Sequence, residues 1–232
     1  MVRFISENAP ITNKETKRRA RRRLGGRPNR GGSKCLRRPD MTGLLPKVRA
    51  VILVGFMGAG KSTVGRVLAE HLGWTFADLD DRIELREKRK VAEIFRNAGE
   101  AGFRRAEHQA LKELLEALRS GSKKVIALGG GAFAYESNIR LIDAVKIPTV
   151  FLDAGVEELW GRCQGQSERQ GMERPLLGNS EGFRELYGKR RPHYLRASLR
   201  QETAGKTVEQ IAAEMIQALE LGLPSGRPGE NE

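Results

Sequence analysis

The chain has 232 residues, 42 Lys and Arg against 29 Asp and Glu, a formal net charge of +13, and 39% apolar residues. That size suits one ordinary domain with an extension, and the apolar share is enough for one core. Two cysteines, Cys35 and Cys163, exclude a disulfide framework and a Cys-rich metal site, so a reducing, cytoplasmic setting is expected. No run of 18 apolar residues predicts a membrane span. The first residues lack the apolar stretch of a secretory signal.

The charge is uneven. Residues 1–48 hold 14 Lys or Arg and three acids, Glu7, Glu15 and Asp40; residues 49–232 hold 28 basic and 26 acidic residues. The basicity therefore belongs to the beginning of the chain. Lys14 to Arg23 is almost all cationic, and Gly25, Gly26, Pro28, Gly31 and Gly32 follow. Such a segment lacks the apolar side chains that offset chain entropy, so residues 1–48 are predicted to be a disordered basic extension. Nucleic acid is an expected partner only through weak, non-specific attraction to this segment. With only Ser6 and Ser33, and with early acids, it matches a transit peptide poorly. A domain is predicted over residues 49–221, and residues 222–232, rich in Pro and Gly, as a loose tail.

Along the domain, Ala50–Val54 (AVILV) is a short apolar run of the kind buried on both faces of a sheet. Gly55-Phe-Met-Gly-Ala-Gly-Lys-Ser62 follows and fits G-x-x-x-x-G-K-[ST], with a helical pattern over Lys61–Leu72 behind it. Glycines let the backbone turn its N–H groups onto phosphate oxygens, at a helix N-terminus that favours anions. Lys61 can reach the β- and γ-phosphates and the Ser62 hydroxyl can ligate Mg²⁺, so ATP is the expected first ligand. Thr75–Ala77 is the second strand. Asp78-Leu-Asp80 follows, two acids on one side if the backbone is extended, one suited to Mg²⁺ and one to a substrate hydroxyl. Asp80 or Asp81 would equally serve as a helix cap before Ile83.

Leu111, Leu114, Leu115 and Leu118 form one helix face, preceded by Gly99-Glu100 and Phe103-Arg104. Arg104 can clamp a carboxylate or simply sit exposed. Val125–Leu128 is a third strand running into Gly129, Gly130 and Gly131, which allow close ligand approach or a flexible turn. Thr149–Leu152 is a fourth strand, Glu157–Cys163 a helix, and residues 165–179 a polar loop holding Arg174-Pro-Leu-Leu177. A loop with one Arg is the expected form of a lid closing on phosphates, although that Arg would also be at home in solvent. Arg190 lies on a following helix that Pro192 should end or kink, Leu199–Gln201 is a fifth strand, and Val208–Leu219 a last amphipathic helix. Strands alternating with helices predict an α/β fold, a parallel sheet covered on both faces with ligands at the carboxyl ends of its strands.

Together, G-F-M-G-A-G-K-S-T-V-G-R (55–66), D-L-D (78–80), G-E-x-x-F-R (99–104), G-G-G, R-P-L-L and R-x-P (190–192) resemble the shikimate kinases over residues 49–220. The resemblance implies a three-layer P-loop kinase fold with a five-stranded parallel sheet in the order 2-3-1-4-5 and a mobile lid. It implies ATP-dependent phosphorylation of the 3-hydroxyl of shikimate in aromatic amino-acid synthesis, with one Mg²⁺ per subunit, in a monomer. By position it implies that Gly58, Ala59, Gly60, Lys61, Ser62 and Thr63 hold the ATP phosphates. Ser62 and Asp78 would hold the metal, and Arg162 would lie near the adenine. Asp80, Arg104, Gly129, Gly130, Gly131 and Arg190 would bind shikimate. Lys61, Asp80 and Arg174 would carry the chemistry. Another small-molecule P-loop kinase, such as a gluconate kinase, is the alternative, because gluconate is also a polyhydroxy carboxylate.

Overall fold

The structure, a computed structural model, describes residues 48–170 and 179–222, without the side chains of Ser120 and residues 166–170. Strands β1 (Ala50–Val54), β2 (Thr75–Asp78), β3 (Lys124–Ala127), β4 (Thr149–Asp153) and β5 (Leu199–Glu202) form one sheet in the order β2-β3-β1-β4-β5. Every pairing is parallel, with Val51 beside Val125 and Leu53 beside Val150. All residues of β1 and β4 are buried, which is why β1 reads as an unbroken apolar run and β4 as one between Thr149 and Asp153. The edge strands β2 and β5 are only partly covered and carry polar residues.

The helices are α1 (Lys61–Leu72), α2 (Leu79–Glu87), α3 (Val91–Ala117), α4 (Glu136–Val145), α5 (Val156–Gln170), α6 (Ser180–Tyr194) and α7 (Val208–Ala218). From β1 the chain crosses past β3 to β2; from β3 it crosses back past β1 to β4. Right-handed crossovers in opposite directions place their helices on opposite faces. Accordingly α1 packs on α7, and α3 on α4. The reversal lies between β1 and β3, whose carboxyl ends carry the phosphate loop and the three glycines.

Local chemistry sets the helix ends. Gly73, left-handed at φ 63°, closes α1 by donating to the carbonyls of Ala69 and Glu70. Thr207 and Gln210 form a reciprocal capping box on α7. Gly99, at φ 65° and ψ −174°, breaks α3, so a second helical segment starts at Glu100.

The predicted β1 and α1 are found as expected, and the other strands lie within a residue or so of their predicted bounds. One expectation needs correction. Residues 165–170 of the predicted polar loop belong to α5. The Gln, Glu and Arg that made this stretch look like a loop are good helix formers. As expected of a proline there, α6 ends soon after Pro192, two residues on at Tyr194; the ring nitrogen carries no N–H to bond the Gly188 carbonyl one turn back. The remainder of the predicted lid, residues 171–178, lies outside the described residues, as do most of the two predicted tails. Among the described residues no helix is long and apolar enough to cross a membrane.

Candidate active site

The phosphate loop turns between β1 and α1 with Gly55, Gly58 and Gly60 at positive φ. Gly58 has two reasons to be glycine: its φ is 78°, and a Cβ there would lie 2.8 Å from Cys163 Sγ and 2.9 Å from the Leu159 carbonyl on α5. Gly60, at φ 83°, delivers the chain into the first turn of α1, whose backbone N–H groups face the loop. Ala59 is buried and Thr63 exposed. Lys61 Nζ donates to the carbonyls of Gly55, at 3.0 Å, and Phe56, at 2.9 Å, which folds its ammonium back over the loop. The Phe56 ring is fully buried against α6, with centroids 5.0 Å from Phe183 and 5.4 Å from Tyr187.

Ser62 Oγ donates to Asp78 Oδ2 at 2.5 Å, so a hydroxyl and a carboxylate converge at the loop. Oxygen ligands of this kind suit Mg²⁺, which takes one or two from protein and the rest from phosphate and water. The geometry of the two acids differs from the expectation that both project from one extended segment. Asp78 ends β2 and caps α2, its Oδ1 accepting from the Asp80 backbone N–H at 3.0 Å. Asp80 lies inside the first turn of α2, and neither it nor Asp81 is the cap. Burial, and then the adjacent Asp78 carboxylate, push the Asp80 carboxyl up to about 6, while Lys61 pulls it down.

The three glycines after β3 bring the other residues in. A Cβ on Gly129 would lie 2.7 Å from Asp80 Oδ1, and one on Gly131 would lie 2.8 Å from both terminal nitrogens of Arg104. None of the three has a positive φ. What they supply is room for an acid and a guanidinium to press against bare backbone. On α6, Arg190 Nη1 lies 3.5 Å from the Gly130 carbonyl, and the Tyr194 hydroxyl donates to the same oxygen. The Arg190 guanidinium carbon is 5.9 Å from the Phe56 ring centre. Asp80, Arg104, Gly129–Gly131 and Arg190 therefore meet beside the phosphate loop.

Arg104 is held by two acids. Glu107, 1% exposed, accepts from Nη1 with both oxygens at 3.0 Å. Glu100, exposed, accepts from Nη2 at 3.3 Å and Nε at 3.4 Å. Burial raises the Glu107 carboxyl, against the opposing pull of Arg104. Asn138 Nδ2 donates to Glu107 at 3.5 Å and its Oδ1 accepts from His108 Nδ1 at 2.8 Å, which extends the support behind the site.

Of the remaining expected site residues, Arg162 on α5 pairs with Glu158 at 2.6 Å, and Arg174 lies outside the described residues. The sequence reading passed over the buried acid that ends β4. Asp153 Oδ2 accepts from Arg191 at 2.9 Å and from Arg200 at 2.7 Å, and Tyr187 reaches Oδ1 at 3.3 Å. Its position, at the carboxyl end of a strand like Asp78, was the available signal.

A phosphate loop, a helix N-terminus and a cluster of two acids and two arginines at one end of a parallel sheet define a P-loop kinase of small molecules. The shikimate kinase family profile matches residues 57–220, well over half of the sequence. The chain belongs to the shikimate kinase family. It is 40% identical to the shikimate kinase of Persephonella marina over 171 residues, covering 73% of this chain and 98% of that one. It is also 40% identical to the shikimate kinase of Cereibacter sphaeroides, covering 74% and 82%. Among solved structures, the Acinetobacter baumannii shikimate kinase in complex with shikimate superimposes with TM-score 0.66 at 34% identity, covering 75% of this chain and 93% of that one. The Aquifex aeolicus shikimate kinase gives TM-score 0.61 at 34% identity, covering 74% and 96%. A sugar kinase from Janibacter, 16% identical with TM-score 0.53 and covering 76% and 96%, shares the fold alone.

Proposed function

We propose that the chain transfers the γ-phosphoryl group of ATP to the 3-hydroxyl of shikimate, giving shikimate 3-phosphate and ADP. The observation that carries this reading is the meeting of Asp80 and Arg104 on Gly129 and Gly131, next to the phosphate loop. Shikimate presents one carboxylate and three hydroxyls. Arg104 and Arg190 suit the carboxylate, and Asp80 with the glycine backbone suits the hydroxyls.

In this scheme Gly58 to Thr63 hold the phosphates with backbone N–H groups and the start of α1. Lys61 exchanges its loop carbonyls for phosphate oxygens. Ser62 and Asp78 hold one Mg²⁺ per subunit, which offsets phosphate charge when bound. Asp80 orients the 3-hydroxyl and accepts its proton as the phosphoryl group leaves ADP. Arg174 closes from the lid onto the developing charge, and Arg162 lies beside the adenine. Exclusion of water by the lid protects ATP from hydrolysis. The enzyme acts as a monomer in the cytoplasm. The test is ADP release with and without shikimate, alongside gluconate and other polyhydroxy acids. Release dependent on shikimate supports the reading; release driven by gluconate instead overturns it.

A further inference from the structure

We infer that Tyr135 is a positioning residue for Arg104, holding the guanidinium in the plane and direction at which it meets an acceptor carboxylate. This rests on the reading of Arg104 as an acceptor-binding group. Tyr135 stands four residues beyond Gly131, between a short 3₁₀ turn (Ala132–Ala134) and α4. It occupies the N-cap position of α4 in extended backbone and makes no side-chain cap bond. Its side chain is committed elsewhere.

The ring lies 4.4 Å from the Arg104 guanidinium carbon, close enough for a cation–π contact. The hydroxyl donates to Glu100 Oε1 at 2.8 Å. That same oxygen accepts from Nη2 and Nε of Arg104. Ring, carboxylate and guanidinium thus close a triangle, with Tyr135 touching both other members. Burial, and then the Glu100 hydrogen bond, raise the Tyr135 hydroxyl, which keeps it a donor.

The triangle completes what Glu107 begins. Glu107 fixes one end of the guanidinium, through Nη1. One anchored nitrogen leaves a long side chain free to swing about that point. In the i,i+4 pair with Arg104, Glu100 is 62% exposed, so solvent screens that partner and the pair alone holds the guanidinium weakly. Tyr135 covers a face of the guanidinium and ties Glu100 in place. The pairing depends on residues 35 positions apart, so no local motif announces it.

The test compares Tyr135→Leu, Tyr135→Phe, Arg104→Ala and the Arg104→Ala/Tyr135→Leu double variant in the full chain, by steady-state kinetics in both substrates. None of these changes removes a helix cap bond. Tyr135→Leu should raise KM for shikimate about tenfold, with KM for ATP unchanged. Tyr135→Phe keeps the ring and should restore about half of that loss on a logarithmic scale. In the Arg104→Ala background, Tyr135→Leu should add nothing. Should Tyr135→Leu leave the shikimate KM alone, shift both KM values together, or act equally without Arg104, the positioning role is overturned. An unchanged shikimate KM in Arg104→Ala removes the acceptor reading of Arg104, and this inference with it.

Discussion

Ser62 and Asp78 join the first turn of α1 to the end of β2 through a 2.5 Å hydrogen bond, and the second oxygen of Asp78 caps α2 at 3.0 Å. One carboxylate serves both a candidate metal position and a helix start, and substitution separates the two. Asp78→Asn keeps a good cap and loses the charge, so stability should hold while the apparent Mg²⁺ affinity falls about 10- to 100-fold. Asp78→Ala should lose the same activity and about 1 kcal/mol of stability as well. Magnesium titrations of rate, with thermal melts of both variants, measure the split.

Asp80 is raised in the folded protein to about 6 from its ordinary 3.8, first by burial. A folded carboxyl that prefers its proton stabilises the fold fully below its unfolded pKa, and that contribution is lost as pH rises through about 6. Asp80→Asn should therefore raise stability at pH 7.5, by about 3 kcal/mol at most, and gain little near pH 3. The same variant should lose most turnover, since its amide accepts no proton. For the wild type, kcat/KM for shikimate should fall below about pH 6 as the base is protonated. Equal stability of wild type and variant across that range contradicts the burial argument.

The glycines after β3 make room for Asp80 and Arg104, so methyl groups there should displace those side chains. Gly129→Ala should mainly lower kcat, by shifting Asp80, and Gly131→Ala should mainly raise the shikimate KM, by shifting Arg104. Displacements of about 1 Å correspond to roughly 10²-fold losses. Kinetics in both substrates distinguish the two effects.

Arg174→Ala removes the cation assigned to the lid. On the scale of arginines that meet a transferring phosphoryl group, kcat should fall roughly 10³-fold. Single-turnover rates at saturating substrates check it, and near-normal turnover excludes the role.

Val48 and Arg49 lead into β1 at the end opposite the phosphate loop. A five-residue strand separates the two, about 16 Å. Deleting residues 1–47 should therefore leave kcat and both KM values within about twofold, the scatter of surface changes. A collapse of turnover on deletion would tie the basic segment to catalysis.

Much of the domain was legible in the sequence because single stretches carried their own signal. The AVILV run, the glycine loop and the Lys61–Leu72 stripe needed no tertiary information. By contrast, α2 buries only Leu79 and Ile83, too thin a stripe to stand out. The first segment of α3 is masked by polar residues and by the break at Gly99. Asp80, Arg104, Gly129–Gly131 and Arg190 lie together in the structure, but the groups that support them are remote in sequence. Arg191 and Arg200 reach Asp153 from 38 and 47 positions away, and neither pairing follows from spacing. The Asp78 cap was missed because acids 78, 80 and 81 are equivalent until the strand is seen to end at Asp78.

Phe56 has a consequence for any attempt to change what this enzyme accepts. The residue belongs to the phosphate loop, yet its ring rests on the helix that carries Arg190. That buried ring ties the loop to α6, so a shift of one reaches the other. Laboratory evolution toward a new acceptor, if it reshapes α6, should therefore select compensating changes at position 56, and nucleotide affinity should drift along with acceptor range.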